Sequence, residues 1–219
     1  MKQGQFYFIT DEFYTIYDTE RKLMQNKEMI DGISHDRPCF YAFPDSKISD
    51  IYWCVPVSSK IEKYKGIYAK KLENQRQRGI KKPKCNTIRF GEIMGRERAF
   101  LIQNMFPITK KYIADVYINK DTNSVVRITE ATEADIIANA IQVLRLVFHG
   151  HKNIVFSDIV DTYNALCSEL GQTQAEPQVI TPVKKYSLLE DIRQRKKELD
   201  EQNRNRPQKI TKRKNELDL

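Results

Sequence analysis

The sequence predicts an α+β protein, and three observations carry that expectation. Short β-prone runs recur between Phe6 and Ile128. Two of them flank Gly95-Arg96-Glu97, a hairpin turn signal. Two helices with broad apolar faces follow after Thr132. At 219 residues the chain fits one domain, expected over 1–170, plus an appendage. The appendage divides into a Gln-, Thr- and Pro-containing linker over 171–182 and a charged tail over 183–219. Ser187-Leu-Leu-Glu190 is a capping box that opens one helix in that tail.

Phe6 to Ile9 is aromatic and β-prone. Thr10, followed by Asp11 and Glu12, reads as a helix N-cap. Phe13, Tyr17 and Met24 extend that helix to about Asn26, and Asp31-Gly32 ends it. Ile33 to Pro38 reads as a loop, and Cys39 to Phe43 as a strand. After a Pro44–Lys47 turn, Asp50 to Val57 is a nearly apolar second strand, buried on both faces. Its Pro56 places the strand end at an edge or bulge. Lys60 to Arg78 is helical, with Ile61, Tyr64, Tyr68 and Leu72 on one face and Gly79 as its stop. Asn86 to Met94 and Ala99 to Ile108 are the hairpin strands, and Val125 to Ile128 is a last short one. Thr109 to Ile118 is ambiguous. Thr132 and Ser157 cap the two core helices, which run to about Phe148 and Leu170.

With 40% hydrophobic residues and 22 aromatics the chain can build a packed core. The cysteines Cys39, Cys54, Cys85 and Cys167 and the three histidines form no zinc-binding pattern. No run approaches the ~18 apolar residues of a membrane span, and the N-terminus lacks an apolar run of signal length. The expectation is a soluble cytoplasmic protein with free thiols and no membrane association.

Charge is concentrated. Ser58 to Arg89 carries eleven Lys/Arg against two Glu, a net +9, whereas the whole chain is +8. A helix face normally mixes signs, so this segment points to phosphate. The backbone-binding candidates are Lys63, Lys65, Lys70, Lys71, Arg76, Arg78, Lys81, Lys82, Lys84 and Arg89. Tyr64 and Tyr68 could stack on bases, but their spacing with Ile61 and Leu72 favours core packing. His149 and His151 sit at a helix C-terminus and read as dipole partners.

The catalytic candidates lie at the ends of two strands. Ser58 can donate to a phosphate oxygen, and Lys60 can neutralise charge as a pentacoordinate phosphorane forms. Ser59-Lys-Ile-Glu62 is also a capping box, which would give Ser59 a purely structural role. If the Cys39 and Asp50 strands pair as a hairpin, His35 and Arg37 come near Ser58. His35 would then serve as general acid or base; an exposed loop histidine is the alternative. The sequence holds neither a carboxylate cluster suited to two metals nor a Gly-rich phosphate loop. A nuclease built from these residues would use the RNA 2′-hydroxyl as nucleophile, with no metal and no cofactor.

Several motifs, in order, carry a family resemblance. They are Phe6-Tyr-Phe-Ile, Arg37-Pro-Cys-Phe-Tyr-Ala-Phe, Trp53-Cys-Val-Pro-Val-Ser-Ser-Lys, Lys84-Cys-Asn-Thr-Ile-Arg-Phe-Gly-Glu and Phe100-Leu-Ile-Gln-Asn-Met-Phe-Pro-Ile. Over about residues 1–170 the chain resembles the toxins of type III toxin–antitoxin systems, most closely the CptN-like branch of the ToxN/AbiQ family. That resemblance implies a compact twisted antiparallel sheet or partial barrel of the MazF/PemK (SH3-like) type with added helices. It implies a metal-independent endoribonuclease leaving 2′,3′-cyclic phosphate and 5′-hydroxyl ends. It also implies a pseudoknot RNA antitoxin, processed by the toxin, that joins it in a closed, inactive protein–RNA hetero-oligomer. Cellular RNA is the implied substrate, and growth arrest and phage defence are the implied roles. The family's hydroxyl pair maps onto Ser58 and Ser59 and its lysine onto Lys60, with Lys63 as the alternative. ToxN-like members carry a tyrosine and a lysine around the Pro38 position, where this chain has His35, Arg37 and Cys39. A different class of function, a non-catalytic RNA- or DNA-binding accessory protein, fits the same basic segment.

Overall fold

Strand β5 (Ile51–Ser58) lies at the centre of the fold, and the rest of the sheet is best followed from it. In the computed structural model, residues 1–172 other than 19 and 31 are described; nearly all of the expected linker and the whole charged tail lie outside the described residues. The first strand is β1 (Phe6–Ile9), followed by α1 (Asp11–Tyr17) and the hairpin β2 (Lys27–Ile30) and β3 (Ile33–Asp36). Next come β4 (Cys39–Pro44), β5 and the long helix α2 (Ile61–Gln77). The hairpin β6 (Arg89–Ile93) and β7 (Arg96–Phe100), then β8 (Phe106–Thr109), complete the middle of the chain. After β9 (Ile113–Val116), a small hairpin of β10 (Ile118–Asn119) and β11 (Ser124–Val125) leads to α3 (Glu130–Phe148) and α4 (Ile159–Glu169).

The expected α+β class holds. The main sheet is antiparallel, in the order β6-β7-β5-β4-β1-β9, with β8 also on β5, and it does not close into a barrel. Strand β5 pairs along Tyr52 to Pro56 with β4, so Cys39 faces Pro56. Its opposite edge is shared: Ile51 to Cys54 pair with β8, and Val57 and Ser58 pair with β7. Pro56 sits where β5 exchanges β8 for β7. It has no N–H to donate, and its carbonyl accepts the Leu101 N–H at 2.9 Å. In place of the expected edge or bulge, Pro56 marks a change of neighbour inside the sheet.

Other expectations shift for identifiable reasons. Helix α1 ends at Tyr17, not near Asn26. The Asp18 carboxylate accepts the N–H groups of Lys22 (2.7 Å) and Leu23 (3.0 Å) and turns the chain. Asn26 then accepts the Ile9 N–H at 2.9 Å, docking the segment beside β1. The expected loop from Ile33 is strand β3, and Gly32, at φ +78°, belongs to the hairpin turn. The Ala99–Ile108 run breaks after Phe100 into a 3-10 turn over Ile102–Asn104, which lets β7 and β8 lie on the same strand. Met94 and Gly95, at φ +52° and +71°, make a two-residue turn one position earlier than expected.

The caps also differ. Thr129, rather than Thr132, caps α3, its hydroxyl accepting the Thr132 N–H at 3.3 Å. Ser157 donates to the Met105 carbonyl at 2.9 Å and leaves Asp158 as the α4 N-cap.

Two apolar cores result. Helices α3 and α4 pack on the sheet over Trp53, which is fully buried and stacked on Tyr163 at 5.9 Å. Asp45 accepts from Trp53 Nε1 at 3.1 Å and from the Tyr163 hydroxyl at 3.2 Å, tying α4 to the β4–β5 connection. The smaller core lies under α2, where Tyr64 meets Ile88, Ala99 and Leu101 and Tyr68 meets Phe90 edge-on at 5.8 Å. Both tyrosines therefore pack inward. Among the described residues no helix is long and apolar enough to cross a membrane.

Candidate functional site

The antiparallel pairing of β4 with β5 puts the start of one beside the end of the other. A cleft of about 470 Å³ opens at that corner. His35 enters it from β3, Arg37 from the β3–β4 connection, and Ser58 and Ser59 from the end of β5. Arg96 and Arg98 enter from β7, placed there because Ser58 pairs with Ala99. Tyr117 and Asp121 close the side formed by the β9–β11 region.

Four of the five residues singled out as catalytic candidates thus line one cleft. Lys60 is the N-cap residue of α2 and is solvent-exposed. Its backbone N–H donates to Ser58 Oγ at 3.2 Å. Ser58 is only 2% exposed, and with its oxygen accepting that bond its own O–H remains a donor. The capping box expected at Ser59 does not form: Lys60 occupies the N-cap, no side chain caps the helix, and Ser59 is exposed.

Arg96 and Arg98 are the site residues that sequence reasoning missed. Burial, and then the Arg96 charge, hold the Arg98 guanidinium below its ordinary value. An arginine stays charged under such a shift, so two like charges held beside Arg37 favour an anion in the cleft. The cleft also has two carboxylates, Asp36 and Asp121; Asp36 lies 3.9 Å from Lys120 Nζ. The available signal was Arg96-Glu97-Arg98 directly after a hairpin turn, but only the β5–β7 pairing shows where it points.

The basic segment divides by location. Lys63 lies over the Tyr64 ring at 5.7 Å, and Lys70, Lys81 and Lys82 are exposed. Lys65 pairs with Glu97 at 2.7 Å, and Arg76 with Glu73 at 3.3 Å. Lys71 turns inward and donates to Thr87 and Gln103, both at 2.7 Å; burial lowers its pKa. Arg78 and Lys84 border a second cleft. Arg89 is a clasp between β6 and α3: it donates to the carbonyls of Cys85 and Ile88 and to Asn139, and pairs with Asp135 at 2.9 Å. His149, at the C-cap of α3, bonds the Arg145 carbonyl at 2.7 Å through Nδ1.

Among the described residues, no group of three His, Cys, Asp or Glu side chains is placed to hold a metal ion. The geometry offers hydroxyl donors, guanidinium charge and an imidazole around a space open to solvent. That set can bind a phosphodiester, stabilise added negative charge on it and exchange protons with its oxygens. No protein-family model matches this chain, and no curated protein is significantly similar to it.

Proposed function

We propose that this protein is an endoribonuclease that cleaves RNA by 2′-hydroxyl transesterification. The observation that carries the reading is the single cleft shared by His35, Arg37, Ser58, Arg96 and Arg98. In this reaction the 2′-oxygen attacks the adjacent phosphorus and the bond to the 5′-oxygen breaks. The 2′-hydroxyl proton goes to a base, and the leaving 5′-oxygen takes a proton from an acid. The products are a 2′,3′-cyclic phosphate and a 5′-hydroxyl. His35 is the group in the cleft suited to proton transfer near neutral pH. Ser58 and the arginines stabilise the extra charge on the phosphorane. The nucleophile is supplied by the substrate itself, so the step calls for no metal.

The resemblance to type III toxins extends the reading. On it, the open antiparallel sheet with four helices is of the MazF/PemK type, and the protein is held inactive in a closed complex with a pseudoknot RNA that it processes. The motifs quoted above support that extension, and of the residues they single out Ser58 and Ser59 line the cleft whereas Lys60 does not.

One observation favours a second reading, a non-catalytic RNA-binding protein. Ser58 is almost fully buried and accepts the Lys60 N–H, as a purely structural serine would. An RNA-cleavage assay in excess EDTA separates the two. Loss of one such donor costs about 3 kcal/mol in the transition state, roughly 10²-fold in rate. Ser58→Ala is expected to cleave that much more slowly while binding RNA nearly as well, and wild-type products should carry 2′,3′-cyclic phosphates. Binding without cleavage, by protein free of copurified RNA, establishes the second reading. Cleavage only with added Mg²⁺ refutes the mechanism.

A further inference from the structure

We propose that a second cleft, at the opposite end of the β6–β7 hairpin from the serine cleft, binds an unpaired nucleotide of the same RNA strand. The inference rests on the RNA reading above and adds a site to it. The cleft encloses about 410 Å³ between the C-terminal half of α2, the 84–87 segment and α3. Its lining has three kinds of group. Val143, Leu146 and Ile154 offer an apolar surface to the face of a base. Asn74, Asn86 and Asn153 line it with amides, groups that can both donate to and accept from a base edge. Lys71, Arg78 and Lys84 supply positive charge for the attached phosphate, and no carboxylate lines the cleft among the described residues.

The walls are held in place before any ligand arrives. Gln75 on α2 clamps the backbone of Lys84, accepting its N–H at 2.9 Å and donating to its carbonyl at 2.8 Å. Asn86 donates to Gln142 of α3 at 2.9 Å, joining two sides of the cleft. Lys71 is fixed by Thr87 and Gln103, which engage two of its three donors among the described residues. Such preorganisation lowers the ordering cost of binding.

Two independent spans relate the clefts. Ser59, in the first, precedes α2, and Lys71, in the second, lies twelve residues on, about 18 Å at ~1.5 Å per helical residue. Thr87 borders the second and Ile93 the first, six residues along the run into β6 and at most about 20 Å apart at ~3.3 Å per extended residue. The Lys65–Glu97 ion pair ties α2 to β7, so the helix and the hairpin run together between the clefts. The exposed Lys63 and Lys70 lie on the intervening helix. A single strand of several nucleotides, rather than a duplex, fits this arrangement, because a base must leave its stack to enter a pocket.

The test is binding of a ~10-nucleotide single-stranded RNA, by fluorescence anisotropy at fixed salt, to full-length protein in a Ser58→Ala background that slows cutting about 10²-fold. Leu146→Glu and Arg78→Gln change exposed residues of the second cleft; Ser168→Glu, exposed on α4, controls for an added charge. Thermal melts confirm that each variant is folded. Leu146→Glu and Arg78→Gln are each expected to bind about tenfold more weakly, and Ser168→Glu like its parent. A 4-thiouridine in the RNA should cross-link to the α3 peptide containing Leu146, and Leu146→Glu should abolish that product. Parental affinity in both cleft variants overturns the second site while leaving the ribonuclease reading intact. A parent protein that binds no RNA overturns both.

Discussion

Replacing Arg89 tests whether the basic segment is read correctly residue by residue. Its charge and position make it an RNA-contact candidate, yet its side chain is only 17% exposed and is engaged by α3. Arg89→Ala removes the donors that satisfy the Cys85 carbonyl and the Asn139 amide oxygen, both belonging to buried residues. Each buried acceptor left unpaired costs about 1–3 kcal/mol. The Asp135 partner is 56% exposed, so that ion pair adds about 1 kcal/mol at most. These effects share one side chain and do not simply add, giving roughly 3 kcal/mol. For a domain of this size that lowers Tm by about 6–12 °C. Arg89→Lys keeps the charge but not the planar fork and should recover less than half of the loss. The assays are thermal unfolding and RNA binding across a salt series. The salt slope should match wild type, because no phosphate contact is lost. A Tm within about 2 °C of wild type, with the slope reduced by about one, would show that Arg89 faces RNA.

Two further outcomes follow from other contacts. A Cβ on Gly91 would lie 2.5 Å from Thr132 Cγ2 and 3.2 Å from Phe100, so Gly91→Ala should cost about 1–3 kcal/mol in urea unfolding. Adding Thr132→Ser removes the nearer obstruction and should restore part of it; no rescue would place the strain elsewhere. Burial alone would raise the Glu169 carboxyl, but bonds from Lys111, Tyr17 and Tyr112 outweigh it and hold the group below its ordinary value of 4.5. A lowered folded pKa contributes stability above about pH 4.5 that is lost as pH falls through the folded value. Glu169→Gln should therefore be less stable than wild type near neutrality, with the difference shrinking in acid; a difference independent of pH refutes the assignment.

Long apolar patterns were legible in the sequence, and local polar turns were not. Helix α2 and strands β4 and β5 fall within a residue or so of their expected ends, because an uninterrupted apolar stripe or run marks each. Helix α1 was read about nine residues too long, because Met24 continues a helical spacing while Asp18 and Asn26 divert the backbone through their side chains. The β2–β3 hairpin was missed although Asp31-Gly32 separates Lys-Glu-Met-Ile from Ile-Ser-His-Asp, since neither run alternates clearly. At the site, the meeting of His35, Arg37 and Ser58 followed from one assumed hairpin. Arg96 and Arg98 could not be found that way, because their place depends on β7 pairing with the end of β5, a contact across some forty residues of chain.

The same pairing explains why charge concentration alone is a poor map of the site. Within the +9 segment, Lys65, Lys71 and Arg89 are bound to other parts of the protein, which fixes α2 and the strand after it. The positive charge of the serine cleft comes instead from Arg37, Arg96 and Arg98, all outside Ser58–Arg89. Pro56 makes this possible. A residue able to donate there would favour continued pairing on the β8 side, whereas proline leaves β5 to take up β7, and β7 brings its two arginines to Ser58. The segment richest in lysine therefore borders both clefts, while the arginines line the serine cleft, where the proposed reaction would place a phosphate.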